Sequence, residues 1–156
     1  MAVADHIDIQ ATRRGLDPML VAAMVEIESG GNEHAMRFEP VWYERLHKVD
    51  VPRGVSEATE RMQQATSWGL MQVLGVTARE RGCDAAFLSV LCKPVVGLEY
   101  GCQYLQWQFE RYGELSDAVA AYNAGSVRLS EDGSYVNQAY VDKVMRAYAR
   151  KRGDVT

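Results

Sequence analysis

The sequence predicts an all-α protein. Three observations carry this. Apolar residues recur at helical spacing through most of the chain. Asp, Ser and Pro stand where helices would start, and Gly where they would end. No convincing run of alternating apolar and polar residues marks a strand. The 156 residues suit one domain, residues 1–156, and at that length roughly two-thirds of the unfolded chain's surface becomes buried. With 47% hydrophobic and 24% charged residues the chain has the profile of an ordinary globule, which excludes a disordered or fibrous class.

The elements follow in order. A first helix is expected from about Val3 to Arg14, closed by Gly15. Asp17-Pro18 opens a second, with Asp as N-cap and Pro at the first helical position. Its stretch Met19–Val25 has no polar side chain, so it should be the central helix of the core, stopping at Gly30-Gly31. Residues 32–66 are the least regular part. Phe38-Glu39-Pro40 leads into a short helix, Val51-Pro52-Arg53-Gly54 is a turn, and Ser56 caps a polar helix to about Gln64. A short apolar segment, Leu70–Leu74, follows Trp68-Gly69. Asp84 is expected to cap a helix through Leu91, and Pro94 to open a longer one ending near Tyr112-Gly113. Its apolar and aromatic positions are Val95, Leu98, Tyr104, Leu105 and Phe109. Ser116 should cap Asp117–Asn123, with Gly125 closing it. A last helix from near Ser134 buries Val136, Tyr140, Val141, Val144, Met145 and Tyr148.

Several classes are excluded. A formal net charge of -4 argues against a nucleic-acid partner. No apolar run approaches a membrane span. The basic last turn, Arg146, Arg150, Lys151 and Arg152, complements a helix dipole, with a handle for an acidic polymer as the alternative. Cys83, Cys92 and Cys102 are odd in number and irregular in spacing. They read as small thiols in a reducing compartment, a Cys83–Cys92 bridge being the other option. His6, His34 and His47 lack metal-ligand spacing, and there is no calcium-binding or phosphate-binding loop, so neither metal nor cofactor is expected.

The chemistry is expected where the apolar helix ends, at Glu26 and Glu28. Helix geometry places Glu28 over Val21, Met24 and Val25. Desolvation and the negative end of the helix dipole both favour a protonated carboxyl, which is what proton donation to a glycosidic oxygen needs. The two residues point to nearly opposite sides of the helix, and this argument does not choose between them.

Four segments bear on the choice: Glu28-Ser29-Gly30-Gly31, Gly69-Leu70-Met71-Gln72, Ala121-Tyr122-Asn123-Ala124-Gly125 and Tyr140-Val141-Asp142-Lys143-Val144. In this order and spacing, over roughly residues 15–148, they resemble the motifs of the soluble lytic transglycosylases. The resemblance implies a lysozyme-like fold, of the goose-lysozyme and lytic-transglycosylase type, with about seven or eight helices around a substrate cleft. It implies Glu28 as the single catalytic acid and base. Glu26 then stands behind it or at the core edge.

Other roles follow from the same resemblance. Ser29 shapes the helix end or touches sugar. Gly69 lets backbone approach the substrate. Gln72 hydrogen-bonds an N-acetyl or hydroxyl group, and Met71 either packs in the core or meets sugar. Tyr122 orients Glu28, Asn123 caps its helix or hydrogen-bonds in the site, and Tyr140 supports the cleft. Trp42, Tyr43, Trp68 and Trp107 are aromatic platforms or core, with Trp68, beside Gly69, the one placed at the site. Met36-Arg37-Phe38-Glu39-Pro40 resembles an insertion in phage and proteobacterial members, and it adds Glu39 as a possible second carboxylate. An ion pair with Arg37 or Arg45 is the plainer reading of Glu39.

The implied reaction cuts the bond between N-acetylmuramic acid and N-acetylglucosamine in peptidoglycan and closes a 1,6-anhydromuramyl end, without a cofactor. A hydrolytic muramidase using Glu39, a chitinase-like enzyme and a non-catalytic glycan-binding or virion module are the rival readings. The chain is expected to be a monomer. Its first residues lack a basic and an apolar leader region. It is therefore expected to be made in the cytosol and to act on the wall from the periplasm or from a phage particle.

Overall fold

The computed structural model describes residues 1–154. Among them, eight α-helices and one small sheet alternate as follows: α1 (Val3–Arg13), α2 (Pro18–Ser29), β1 (Met36–Phe38), α3 (Pro40–Arg45), α4 (Glu57–Gln64), β2 (Thr66–Trp68), β3 (Val73–Leu74), α5 (Gly75–Glu80), a 3₁₀ turn (Leu88–Cys92), α6 (Pro94–Tyr112), α7 (Leu115–Ala124) and α8 (Gln138–Arg152). The mostly helical architecture is the expected one. Contacts along the chain gather into two compact units: Met1–Ile27 together with the chain from Cys102 onward, and Glu28–Gly101. The boundaries fall inside α2 and α6. No helix among the described residues is long and apolar enough to cross a membrane.

In the first unit, Asp17 caps α2 as expected, its Oδ1 accepting from the Met19 amide at 2.8 Å. Val21, Ala23 and Met24 are fully buried, although Met19 in the first turn is 47% exposed, so the helix is not covered all round. In α7, Ala118–Tyr122 are all buried. Each large apolar side chain buried in this way contributes about 1.5–3 kcal/mol. The α7 start lies before Ser116, at Leu115 with Glu114 as the flanking residue. The last helix starts at Gln138, not near Ser134. Asp132 accepts from both the Ser134 amide (2.9 Å) and hydroxyl (2.6 Å), while Leu129 pairs with Tyr135 in a one-rung ladder. These bonds hold residues 129–135 in a tight turn, and Val136 is left exposed. The buried stripe of α8 is Val141, Val144 and Ala147.

The second unit carries the sheet, which the sequence reading missed because strands of two and three residues are too short to show a period of two. Its order is β1-β2-β3, antiparallel throughout, with Met36 opposite Trp68, Arg37 opposite Ser67 and Phe38 opposite Thr66. Ser56 caps α4 as expected, accepting from the Thr59 amide at 3.1 Å.

The interior of this unit is organised by a carboxylate. Glu60 on α4 is fully buried and faces Arg79 of α5 in a two-pronged ion pair, Nε to Oε1 at 2.7 Å and Nη2 to Oε2 at 2.9 Å. Gln64 donates to Oε1 at 2.8 Å, and Gln63 donates to Oε2. Burial by itself raises the Glu60 pKa, but the hydrogen bonds from Arg79, Gln64 and Gln63 outweigh it and hold the carboxyl below its ordinary value. The remaining guanidinium nitrogen, Arg79 Nη1, donates to the carbonyls of Cys83 (2.6 Å) and Ala85 (2.7 Å). A helix starting at Asp84 would need the Ala85 carbonyl for its own ladder. The segment instead runs irregularly to the 3₁₀ turn, whose Leu88 amide is capped by Gln63 Oε1 at 3.0 Å.

Two glycines then lock the 3₁₀ turn in place. A Cβ on Gly69 would lie 2.3 Å from the Leu91 carbonyl oxygen, and one on Gly97 would lie 2.3 Å from the same atom. Cys83, Cys92 and Cys102 are all free thiols, Cys83 and Cys102 buried. Burial pushes the Cys102 pKa up to about 12.

Three changes test this packing through stability. Replacing Glu60 by Ala strands Arg79 and should cost about 3–5 kcal/mol in chemical denaturation at neutral pH. Because the folded pKa of Glu60 lies below its unfolded value, its stabilisation is complete above the ordinary carboxylate range and drains away as pH falls through the folded pKa. The E60Q variant should therefore lose less stability than the parent between pH 7 and pH 3, and equal losses would contradict this. Gly69→Ala combines a left-handed backbone (φ +69°) with the collision on Leu91, so it should destabilise by more than about 1 kcal/mol. An unchanged denaturation midpoint would refute that.

Candidate active site

The second unit brings Ser29, Trp68, Gly69, Met71 and Gln72 around one tight loop between β2 and β3. Gly69 and Gln72 both have positive φ, +69° and +47°, and Gln72 is alone in this among the described non-glycine residues. A left-handed Gln costs free energy that its surroundings must offset. They do so with four hydrogen bonds. The Gln72 amide donates to the Gly69 carbonyl at 3.1 Å, and the Gly69 amide to the Ala35 carbonyl at 2.7 Å. The Gln72 side-chain Nε2 donates to the carbonyls of Ala35 (3.1 Å) and Gly69 (3.0 Å). With its nitrogen spent on backbone, Gln72 presents Oε1, so the group it offers is an acceptor.

Ser29, the last residue of α2, donates its hydroxyl to the Leu70 carbonyl at 2.8 Å and accepts from the Gly31 amide at 3.2 Å. It therefore shapes the helix end and fastens it to the loop. Glu28, its neighbour, is half-buried in the last turn. Met71 is fully buried, and a Cβ on Gly101 would meet its sulfur at 2.4 Å. That is core packing, one of the two readings weighed for Met71. The close approach at Gly69 is made by the Leu91 carbonyl, so the glycine is explained by packing within the protein. Trp68 is only 8% exposed, with its indole nitrogen donating to the Gln63 carbonyl at 3.0 Å. It reads as core with one edge at the surface.

Of the two carboxylates that end α2, Glu26 is held as an ion. In the first unit it accepts from Lys151 Nζ at 2.8 Å and from Arg150. The hydrogen bond from Lys151, followed by the charges of Lys151 and Arg150, keeps its pKa below the ordinary range. A carboxyl held in this way is a poor proton donor at neutral pH. The same pairs give the basic last turn of α8 a partner beyond the helix dipole. Glu39 takes the plainer role weighed for it. Its Oε1 accepts from Arg37 Nε at 2.7 Å and from the Ser67 hydroxyl at 3.3 Å.

The first unit carries Tyr122, 7% exposed, and the exposed Asn123. Tyr122 tilts against Tyr104 with ring centroids 5.1 Å apart, and Tyr104 stacks on Trp107 at 5.9 Å, with Arg111 4.7 Å from the Trp107 ring. Trp107 is thus engaged by its own neighbours. Trp42 and Tyr43 are likewise faced by Arg45 and Arg61, at 5.7 and 4.2 Å. Asn123 Oδ1 accepts from Asn137 Nδ2 at 2.9 Å. Gly125 ends α7 in the left-handed conformation, φ +81°, as expected. Asn137 was not singled out from the sequence. An Asn just before a helix ordinarily reads as that helix's own cap.

Comparison with known proteins shows the family. The chain is 26% identical, over 142 residues and 91% of its length, to a protein named "Transglycosylase" from Enterobacteria phage PRD1. It spans 41% of that relative's length. The model of the transglycosylase SLT domain matches residues 5–144, nearly the whole chain. The chain belongs to the transglycosylase SLT domain family.

Proposed function

We propose that this chain is a peptidoglycan lytic transglycosylase in which Glu28 is first the acid and then the base. The reading rests on family membership across residues 5–144. The observation that favours Glu28 as the acid is the ion pairing of Glu26, the other carboxyl near the end of α2. Glu26 is fixed as an ion by Lys151 and Arg150, whereas Glu28 stands half-buried beside the serine that is tied to the Gly69–Gln72 loop.

Glu28 protonates the oxygen joining N-acetylmuramic acid to N-acetylglucosamine, and that C–O bond breaks with help from the substrate's own N-acetyl group. The carboxylate left behind takes the proton of the muramyl C6 hydroxyl, whose oxygen then bonds to the anomeric carbon. The proton donated in the first half is recovered in the second, and no water is consumed. One group serving twice needs a pKa near the working pH.

Gln72 Oε1 accepts from an N–H or O–H of the sugar, and Tyr122 and Asn123 are the sugar contacts proposed for their own unit. Trp68 offers its exposed edge, and Gly69 and Ser29 hold the loop. Glu39, neutralised by Arg37, takes no part in the chemistry. The site of action is the cell wall, reached from a phage particle or in the periplasm, and the enzyme works as a monomer.

The test is a zymogram on purified murein with quantified release of soluble fragments. Glu28→Gln should lower the rate by about 10²- to 10⁴-fold, while Glu26→Gln should stay within a few-fold of the parent. An E28Q protein that clears murein as fast as the parent would overturn the assignment.

A further inference from the structure

Asn137 stands at the position that ordinarily caps a helix, just before α8, yet its side chain makes no cap bond there. Both hydrogens of its Nδ2 are spent on α7 instead. One goes to the Ala120 carbonyl at 3.0 Å and the other to Asn123 Oδ1 at 2.9 Å. Asn137 is half-buried and Asn123 is exposed. The α7 end does not need this bond for its own termination, because the Gly125 amide already closes the helix on the Ala121 carbonyl at 2.7 Å.

An Asn side chain offers one acceptor and two donors, and a free one presents either end to solvent. Fixing Oδ1 on Asn137 removes that freedom: the Asn123 NH₂ group is turned outward as a donor. We infer that Asn137 is a positioning residue, which holds the Asn123 amide so that Nδ2 donates to a carbonyl or hydroxyl oxygen of an N-acetylated amino sugar. This rests on the proposed glycan-cleaving function and extends it to a residue outside the recognised motifs.

The consequence is a recognition defect, read most cleanly in Asn123→Asp, because Asn137→Asp also sets a carboxylate against the Ala120 carbonyl. In Asn137→Asp the donor becomes an acceptor of the same shape. Asn123 must then turn its NH₂ inward and show Oδ1 to the sugar. Losing one sugar hydrogen bond should raise KM on soluble murein chains about tenfold, with kcat within about twofold. Asn123→Asp reaches the same state without touching Asn137, because its carboxylate still accepts from Asn137 but donates nothing outward, and it should give the same KM change.

Two further readouts separate positioning from mere support. If Asn137 acts through Asn123, the double variant N123A/N137A should be no worse than N123A. In ¹⁵N-labelled protein, the Asn123 side-chain amide resonances should move in N137D and should respond in the parent when murein fragments are added. Unchanged KM in both Asp variants, or additive losses in the double variant, would overturn the inference. The Glu28→Gln control is independent of it. If E28Q remained active, the proposed chemistry would fall while the Asn123 resonances still reported on the pairing. If E28Q were dead and both Asp variants behaved as the parent, the chemistry would stand and only the positioning role would fall.

Discussion

A carboxylate sealed from water governs how the unit carrying Glu28 is built. Glu60 has no exposed surface, and its charge is tolerable only because Arg79 meets it with two prongs while Gln63 and Gln64 fill the remaining lone pairs. Satisfying that one group sets the course of the surrounding chain. Arg79 turns its last donor onto the carbonyls of residues 83 and 85. Gln63 caps the 3₁₀ turn and takes the Trp68 indole on its own carbonyl. The Leu91 carbonyl then comes so close to Gly69 that only glycine fits. The loop bearing Gln72 is thereby positioned by a chain of obligations that begins at a buried charge.

Polar side chains at helix ends are put to an unusual common use. Asp17 caps α2 and also accepts the Tyr148 hydroxyl at 2.6 Å. Ser29 leaves the α2 end to hold the Leu70 carbonyl. Asn137 gives up its own helix to hold α7. Each replaces a local cap, worth about 1 kcal/mol, by a bond to another element, or adds such a bond to the cap. For Ser29 and Asn137, the residues that accept these bonds belong to, or adjoin, the segments proposed to meet substrate.

Much of this was legible in the sequence where local chemistry decides. Asp17-Pro18, Ser56 and Gly125 marked true helix ends because a cap or a positive φ is a property of a few adjacent residues. The order of the motifs around Glu28, Gly69 and Tyr122 pointed to the right family. What escaped depends on partners distant in sequence. Glu60 sits in a helix that reads as polar and solvated, and nothing local says that Arg79 will bury it. Asp84 looked like a cap because its competitor, the Arg79 guanidinium, lies five residues upstream on another helix. The strands were too short for their alternation to register. The choice between Glu26 and Glu28, open on helix geometry alone, is narrowed by pairs with Arg150 and Lys151, more than a hundred residues away.

The central claim is that a single carboxyl both gives and takes the proton, leaving no role for an attacking water. Mass spectrometry of the fragments released from purified murein tests it most directly. The account predicts muropeptides lighter than the reducing forms by the mass of one water, ending in 1,6-anhydromuramic acid. Fragments with only reducing ends would contradict it and place a water-activating carboxylate in the reaction.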